Sequence, residues 1–522
     1  MADVPKPEHL FGRDREWSEL TRFVAGPGRP LRLGVVYGRR RTGKSFLLRR
    51  VVDEFGGLYH LSLRESRQMA LARFGDAIGA IADHAHPLRV RHDDWLTALT
   101  DALHAVARQA RGPSVVVLDE YPFLRDGSPE LDSAVQSLAD ASALEGLGSD
   151  WDWPVSLVLC GSAMSVMSGL LHGAAPLRGR AALNMALLPF DYRDARRFWK
   201  IEDASTALLL DAVVGGVPGH RDLVEAIDVP SSPDDFGDWM ASSVLNPSHA
   251  LYSEADAVLS EDPRVTDRAV YYSLLSAIAA GRRRAGQIAE AVGRPAGDIT
   301  YQLGVMTAAG LVERHADALG GRRPVYRIAD PIVRFHLAVS RQFRAQLEER
   351  RAAQVWAACQ DAFGSRVVGP HFEHLCRVWA RRYADASEIG VALGEVGRHL
   401  ANDARHRETF EIDVVVCGPG EGEASGGRTR RTVHAVGEAK LSRLTSADLS
   451  RLDRLATLIE ANGRAATTSH TKRLLFSVAG FDAALRAEAR HRDNVELVDL
   501  QRLYGDTPDA AVASGSVRAS KS

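Results

Sequence analysis

The chain predicts an α/β fold with two separate sheets and helical text between them. Three observations carry this. An apolar run, Leu31 to Tyr37, is followed by Gly38-Arg39-Arg40-Arg41-Thr42-Gly43-Lys44-Ser45 and a helix-like stretch from Phe46 to Glu54. Ser114-Val115-Val116-Val117-Leu118 reads as a buried strand that ends in Asp119-Glu120. Near the end, Glu411 to Val416 and Thr432 to Val436 read as neighbouring strands, the second running on into Gly437-Glu438-Ala439-Lys440.

A length of 522 residues and 45% apolar content leave room for several cored domains. The net charge of −2 excludes bulk attraction to polyanions, so any nucleic-acid contact must come from local patches. Cys160, Cys359, Cys376 and Cys417 have neither zinc-site spacing nor a disulfide pattern. The first residues do not read as a signal peptide and no apolar run is long enough to span a membrane, so the expected compartment is the cytoplasm, with no membrane partner.

Taken in order, residues 1–10 read as a loose leader, and Phe11-Gly12-Arg13-Asp14-Arg15-Glu16 opens an amphipathic helix with Trp17, Leu20 and Phe23. The strand, glycine-rich loop and helix that follow are the context of a phosphate-binding loop. Gly38 and Gly43 permit the tight turn. The backbone N–H groups of Arg39, Arg40, Arg41 and Thr42 would cradle the phosphates of ATP or ADP with help from the next helix N-terminus. Lys44 would reach the β and γ phosphates and Ser45 would hold Mg²⁺. Three arginines inside such a loop are unusual: they are solvated, face a polyanion, or contact a partner subunit.

Gly57 to Leu63 reads as a strand, and 66–83 and 93–110 as helices. Asp119, at the end of the buried strand, would coordinate Mg²⁺, and Glu120 would orient or deprotonate the attacking water. Val155 to Cys160 is the next strand. Ser162 behind it either senses the γ phosphate or caps the helix Met164 to Leu171, or does both. Arg178 or Arg180 is either a solvated loop arginine or a positive charge offered to the transferring phosphoryl group, in cis or from a neighbouring copy. Gly215-Gly216-Val217-Pro218-Gly219 breaks helical text that continues to about residue 255 and is expected to form a lid.

Residues 264–315 read as three short helices, about 265–279, 285–292 and 297–309, followed by a basic hairpin from Arg314 to Arg327. That order suits a winged helix-turn-helix whose last helix carries Asp298, Thr300, Tyr301 and Gln302. Arg282, Arg283, Arg284, Arg294, Arg322 and Arg323 would meet phosphates, unless the module serves only for packing. A buried connector, 325–339, precedes helical text from Gln342 to Gln360.

In the last third, alternation puts Glu438 and Lys440 on one face of their strand. With Asp413 on the neighbouring strand and Glu373 on a helix, the set suits a second Mg²⁺ or Mn²⁺ and phosphodiester cleavage, with Lys440 activating water. The other reading is an acidic hairpin with a neutralising lysine. Residues 507–522 read as a disordered tail.

The chain resembles the archaeal-type ATPase family, also found in bacteria, whose members end in a domain of unknown function, DUF234. The segments that carry this are FGRDREWSEL at 11–20, VVYGRRRTGKSFLL at 35–48, VVVLDEYPFL at 115–124, LVLCGSAMSVM at 157–167, APLRGRAALNMALLPF at 175–190, GGVP at 215–218, YRIADPIVRFH at 326–336, VVGPHFEHL at 367–375, EIDVVV at 411–416 and GEAK at 437–440. The resemblance implies an AAA-type P-loop ATPase core over 11–190, a helical lid over 191–260, a winged helix over 261–340 and a restriction-endonuclease-like PD-(D/E)XK domain over 341–506. In that last domain Glu373, Asp413, Glu438 and Lys440 match the metal and catalytic positions, although Ile412 stands where the motif has proline. The expected function is Mg-dependent ATP hydrolysis coupled to DNA binding or processing, in a chain that forms homo-oligomers. The alternatives are a regulatory NTPase with a non-catalytic C-terminal module, and an ATP-gated nuclease.

Overall fold

The computed structural model describes residues 4–82, 90–144, 146–224, 228–260, 262, 264, 267–320, 324–392, 394–403, 408–418, 431–461 and 465–506. The tail read at 507–522, together with Arg322 and Arg323, lies outside the described residues.

The first sheet contains β1 (Leu31–Tyr37), β2 (Gly57–Leu61), β3 (Ser114–Asp119), β4 (Val155–Gly161) and β5 (Ala181–Ala186) in the order β2-β3-β4-β1-β5. All its pairings are parallel. Every residue of β3 and β4 is buried, which explains their unbroken apolar text. On one face the helices Trp95–Gln109 and Leu131–Ala143 supply Leu99, Leu103, Val135 and Leu138. On the other, Trp17, Leu20 and Val24 of the helix Asp14–Ala25 pack with Leu47, Leu48 and Val51 of Lys44–Phe55. The leader is not loose over its described part: Leu10 is buried, and Trp17 Nε1 donates to Val4 O at 3.0 Å. Strand β5, Ala181-Ala182-Leu183-Asn184-Met185-Ala186, is nearly all apolar, but Ala, Leu and Met favour helix, so its text does not announce a strand. It lies at the sheet edge with mostly half-exposed or exposed residues.

Beyond β5, the helices Tyr192–Trp199, Ala204–Val214 and Ala250–Leu259 lead to Arg268–Ala279, Ala285–Ala291 and Thr300–Ala308. The antiparallel pair β6 (Val312–His315) and β7 (Val325–Ile328) follows. Helix Pro331–Ala338 then leads to Ala352–Phe363 and, through a π turn, to Gly369–Arg382.

The second sheet is formed by β8 (Glu395–Asp403), β9 (Glu408–Cys417), β10 (Arg431–Lys440), β11 (Ala465–Ala466), β12 (Lys472–Ser477) and β13 (Val495–Asp499). Its order is β13-β12-β10-β9-β8, with β11 beside β10. The pairs β8–β9 and β9–β10 are antiparallel and the others parallel. Ile412, Val415, Val433, Val436 and Leu475 pack with the helix Ser446–Ala461, irregularities in β9 and β10 bringing residues three apart to one face. Val414, Val416, Ala435, Leu474 and Phe476 face the other way, where Phe476 meets Trp379 edge-on at 5.5 Å. This second face belongs to one hydrophobic cluster that extends from Tyr192 to Tyr504. The expected segments 191–260, 261–340 and 341–506 therefore share a core.

Candidate functional site

The parallel order brings the C-terminal ends of β3, β4 and β1 side by side, so that the loop at 38–45, Asp119-Glu120 and Ser162 converge. Gly38 lies so close to Leu187 that a Cβ there would meet its carbonyl oxygen at 2.3 Å. Gly43 has φ 91°, a left-handed value that glycine adopts at no steric cost. Arg13 Nη2 donates to Thr42 O at 3.0 Å and steadies the turn from outside.

Within the loop, Lys44 is buried and its Nζ donates to Arg39 O at 2.9 Å. Ser45 Oγ donates to Asp119 Oδ2 at 2.6 Å, and the same oxygen accepts from Tyr59 OH. Burial alone would raise the Asp119 carboxyl. Hydrogen bonds from Cys160, Ser45, Tyr59 and the Glu120 N–H outweigh it and hold the group below its usual value. Asp119 is thus an anion at neutral pH, adjoining a hydroxyl. These hard oxygen donors fit Mg²⁺.

Glu120 leaves the strand in a left-handed conformation, φ 55°, and Ser162 Oγ donates to its Oε2 at 3.3 Å. Ser162 does not cap the next helix, Met164–Gly169, which has no side-chain cap. Beside this pair opens a cleft of about 800 Å³, lined by Arg40, Arg64, Arg125, Glu120 and Ser162 and bounded by Ala257 and Ser260. The three loop arginines therefore diverge. Arg40 faces the cleft. Arg41 Nε meets Glu254 Oε1 at 2.8 Å, and Arg39 Nη1 meets Asp330 Oδ2 at 2.8 Å. Arg39 Nη2 is buried without a hydrogen-bond partner.

Arg180 does not join them. It precedes β5 at the end paired with Leu33, opposite the phosphate-binding loop, and Asp140 holds it through bonds of 2.7 and 2.8 Å. An action in cis is excluded by this placement. Arg178 donates to the nearby Gly173 O.

On the second sheet the expected tetrad is rearranged. Glu373, Glu411 and Asp413 each offer a ligand atom, all within 4.8 Å of one another. Burial, then the charges of Glu373 and Glu438, push the Asp413 carboxyl well above its usual value. Asp413 Oδ2 accepts from the Ala439 N–H at 2.9 Å. Glu438 lies outside the close group and pairs with Arg451 at 2.5 Å. The Lys440 ammonium is 2.5 Å from Asp448 and 3.7 Å from Glu438. Three carboxylates in such proximity fit a hard divalent cation. In this structure arginines partly balance them: Arg398 meets Glu411 at 2.6 Å, and Arg283 lies 3.5 Å from Glu411 and 3.8 Å from Glu373.

Residues 10–205 match the family model of an ATPase domain predominantly from Archaea. Over these residues the chain is similar to an ATPase domain. An uncharacterized protein of Methanocaldococcus jannaschii is 21% identical over 306 residues, 58% of this chain and 62% of that protein, so the chain matches less than two thirds of its relative's length. The chain is also similar to the Walker-type ATPase of Pyrococcus abyssi, at 19% identity and TM-score 0.46 over 64% of this chain and 97% of that one. The Aeropyrum pernix ORC2 protein, solved as ADPNP–ADP complexes, is 14% identical with TM-score 0.40 over 67% and 98%.

Two features escaped the sequence reading. Glu411 is one alternation before Asp413 and so lies on the same face of β9, a signal present in the text. The partners Glu254 and Asp330 had no such signal: they stand far along the chain from the loop they hold.

Proposed function

We propose that the chain is a Mg-dependent ATP hydrolase of the AAA type whose nucleotide state is passed to a DNA-binding C-terminal half. The observation that carries hydrolysis is the contact of Ser45 with Asp119 beside Glu120, at the foot of the loop that holds Lys44. Lys44 exchanges Arg39 O for the β and γ phosphates. Ser45 and Asp119 hold Mg²⁺, which supplies positive charge to the phosphates. Glu120, kept in place by Ser162, accepts a hydrogen bond from the attacking water. Phosphate release from Mg-ATP tests this: wild type turns over, while Lys44→Ala and Glu120→Gln do not.

The route out of the site is the pair of loop arginines. Arg41 connects the loop to the lid helix at Glu254, and Arg39 to Asp330, which caps the helix Pro331–Ala338 by accepting from the N–H groups of Ile332 and Val333. Polyphosphate competes with both carboxylates for these guanidinium groups. The helices 268–308 and the hairpin β6–β7 are read as a winged helix, with exposed Tyr301 on the last helix. DNA affinity in the apo, ADP and ATP-analogue states tests the coupling, and equal affinity in all three refutes it.

The second sheet is read as nuclease-like, with Glu373, Glu411 and Asp413 holding Mg²⁺ or Mn²⁺. Arg283 and Arg398 on the carboxylates and Asp448 on Lys440 favour a resting or regulatory state of this domain. Mn²⁺-dependent DNA cleavage lost in Asp413→Ala and Lys440→Ala would establish an ATP-gated nuclease. ATP-dependent protein association without cleavage would establish the regulator.

A further inference from the structure

Between the hairpin β6–β7 and the start of the helix Gly369–Arg382 lies a small cavity of about 100 Å³. Its charged lining is Arg283, Arg327, Arg334 and Arg366, with no carboxylate among the lining residues. Three of these come from separate parts of the middle module and its connector, and the exposed Arg366 stands at the rim.

Arg334 makes the cavity unusual. It is 4% exposed, and two of its nitrogens, Nε and Nη1, are buried without a hydrogen-bond partner. Its third, Nη2, donates to His371 Nδ1 at 3.0 Å, and His371 Nε2 in turn meets Asp211 Oδ2 at 2.7 Å. Burial, together with the charge of Arg327, pushes the guanidinium down to about 9, so it stays charged at neutral pH. The carboxylates near it are committed elsewhere. Asp211 serves His371, and Asp330 serves Arg39 and the helix N-terminus. Arg327 Nη2 and Nε both donate to Glu313 Oε2, at 2.7 and 3.2 Å. A buried guanidinium with unused donors is costly unless an anion completes it. Arginine forks match the oxygen geometry of phosphate, and the cavity has room for one such group.

We propose that the pocket of Arg283, Arg327, Arg334 and Arg366 binds a phosphate group. The pocket is distinct from the phosphate-binding loop and stands on the arginines alone, independently of the ATPase reading. The group comes from a small phosphate or from a nucleic-acid strand. A strand has a path, because a second cavity of about 190 Å³ shares Arg283 and Arg327 with the first and continues past Arg377 and Arg398 to Glu373.

The test is calorimetric titration of inorganic phosphate into full-length Lys44→Ala protein, at ionic strength held constant with chloride, so that the loop at 38–45 contributes little. One saturable site is expected. Arg334→Met should weaken it at least about tenfold, and Arg366→Ala and Arg327→Gln by several-fold each. If Arg334→Met does not fold, Arg366→Ala at the rim and Arg327→Gln decide. Absence of saturable binding by the folded Lys44→Ala protein overturns the proposal, as does unchanged affinity in the folded pocket variants. Single-stranded oligonucleotides with and without a 5′-phosphate, added as competitors, identify the source. Displacement by the phosphorylated strand alone places a strand end in the pocket. Displacement by both places a backbone phosphate there, and displacement by neither assigns the pocket to a small phosphate.

Discussion

The tie between Arg39 and Asp330 makes a prediction with two opposite readouts. Asp330→Asn keeps an oxygen that can cap the helix Pro331–Ala338 but removes the charge that holds Arg39. The pair is largely buried, with Asp330 4% and Arg39 13% exposed. Leaving one partner of a fully buried pair costs about 3–5 kcal/mol. Arg39 keeps some access to water, so about 2–3 kcal/mol is expected here. A loss of that size lowers the melting temperature of a cooperative unit this large by roughly 2–5 °C. Nucleotide binding should move the other way. Arg39 Nη2 already lacks a partner, and in the variant the whole guanidinium is available to a phosphate. A charged hydrogen bond is worth about 1.5–3 kcal/mol net. Removing the competition of Asp330 should recover about 1 kcal/mol of that, or roughly fivefold tighter binding. The assays are a thermal melt and titration with a fluorescent ATP analogue. Arg39→Ala in the same background should abolish the gain, which separates a direct contact from general loosening. A folded Asp330→Asn protein that binds nucleotide with unchanged or weaker affinity refutes the reasoning.

Further predictions follow from the two sites. Glu120→Gln should retain nucleotide binding and lose hydrolysis by about 10²–10⁴-fold, read as steady-state phosphate release, whereas loss of binding would place Glu120 in the cradle instead. Glu411→Ala should weaken Mn²⁺ binding, followed calorimetrically, by at least about tenfold, while Glu438→Ala, which removes a group paired with Arg451, should weaken it less. Asp413 gives a pH dependence. Its folded carboxyl is raised by burial and by Glu373 and Glu438, so the folded chain holds a proton that the unfolded chain has released. The contribution is fully present below the unfolded carboxylate value and is lost as pH rises through the folded one. In EDTA, Asp413→Asn should therefore show a smaller fall in melting temperature than wild type between about pH 5 and 9. Equal falls in both proteins would show that this carboxyl is not the group responsible.

The ATP-type site was legible because its chemistry is local. A strand, eight loop residues and a helix start are contiguous in the chain, and the apolar run before Asp119 identifies a buried strand end whatever lies around it. The strands around Asp413 and Glu438 were legible for the same reason, through their short apolar, β-branched runs. Strand β5 was not, because its Ala-, Leu- and Met-rich text carries a helix preference that pairing with β1 overrides. For Arg180 the text left a solvated and a catalytic reading open, because a sequence gives no sheet end: the pairing of Ala181 with Leu33 sets it at the end opposite the loop, where Asp140 holds it.

What the sequence by itself determined is thus the set of chemical groups and the short segments that present them. The tertiary structure decided which charges meet. It turned Arg39 and Arg41 from unexplained loop residues into ties to Asp330 and Glu254, and gathered Glu411 with Glu373. It also closed four arginines from distant segments around one cavity. The physical reason is that ion pairing and burial depend on proximity in space. Chain separations of hundreds of residues, such as 213 between Arg41 and Glu254, leave no periodic trace in the text.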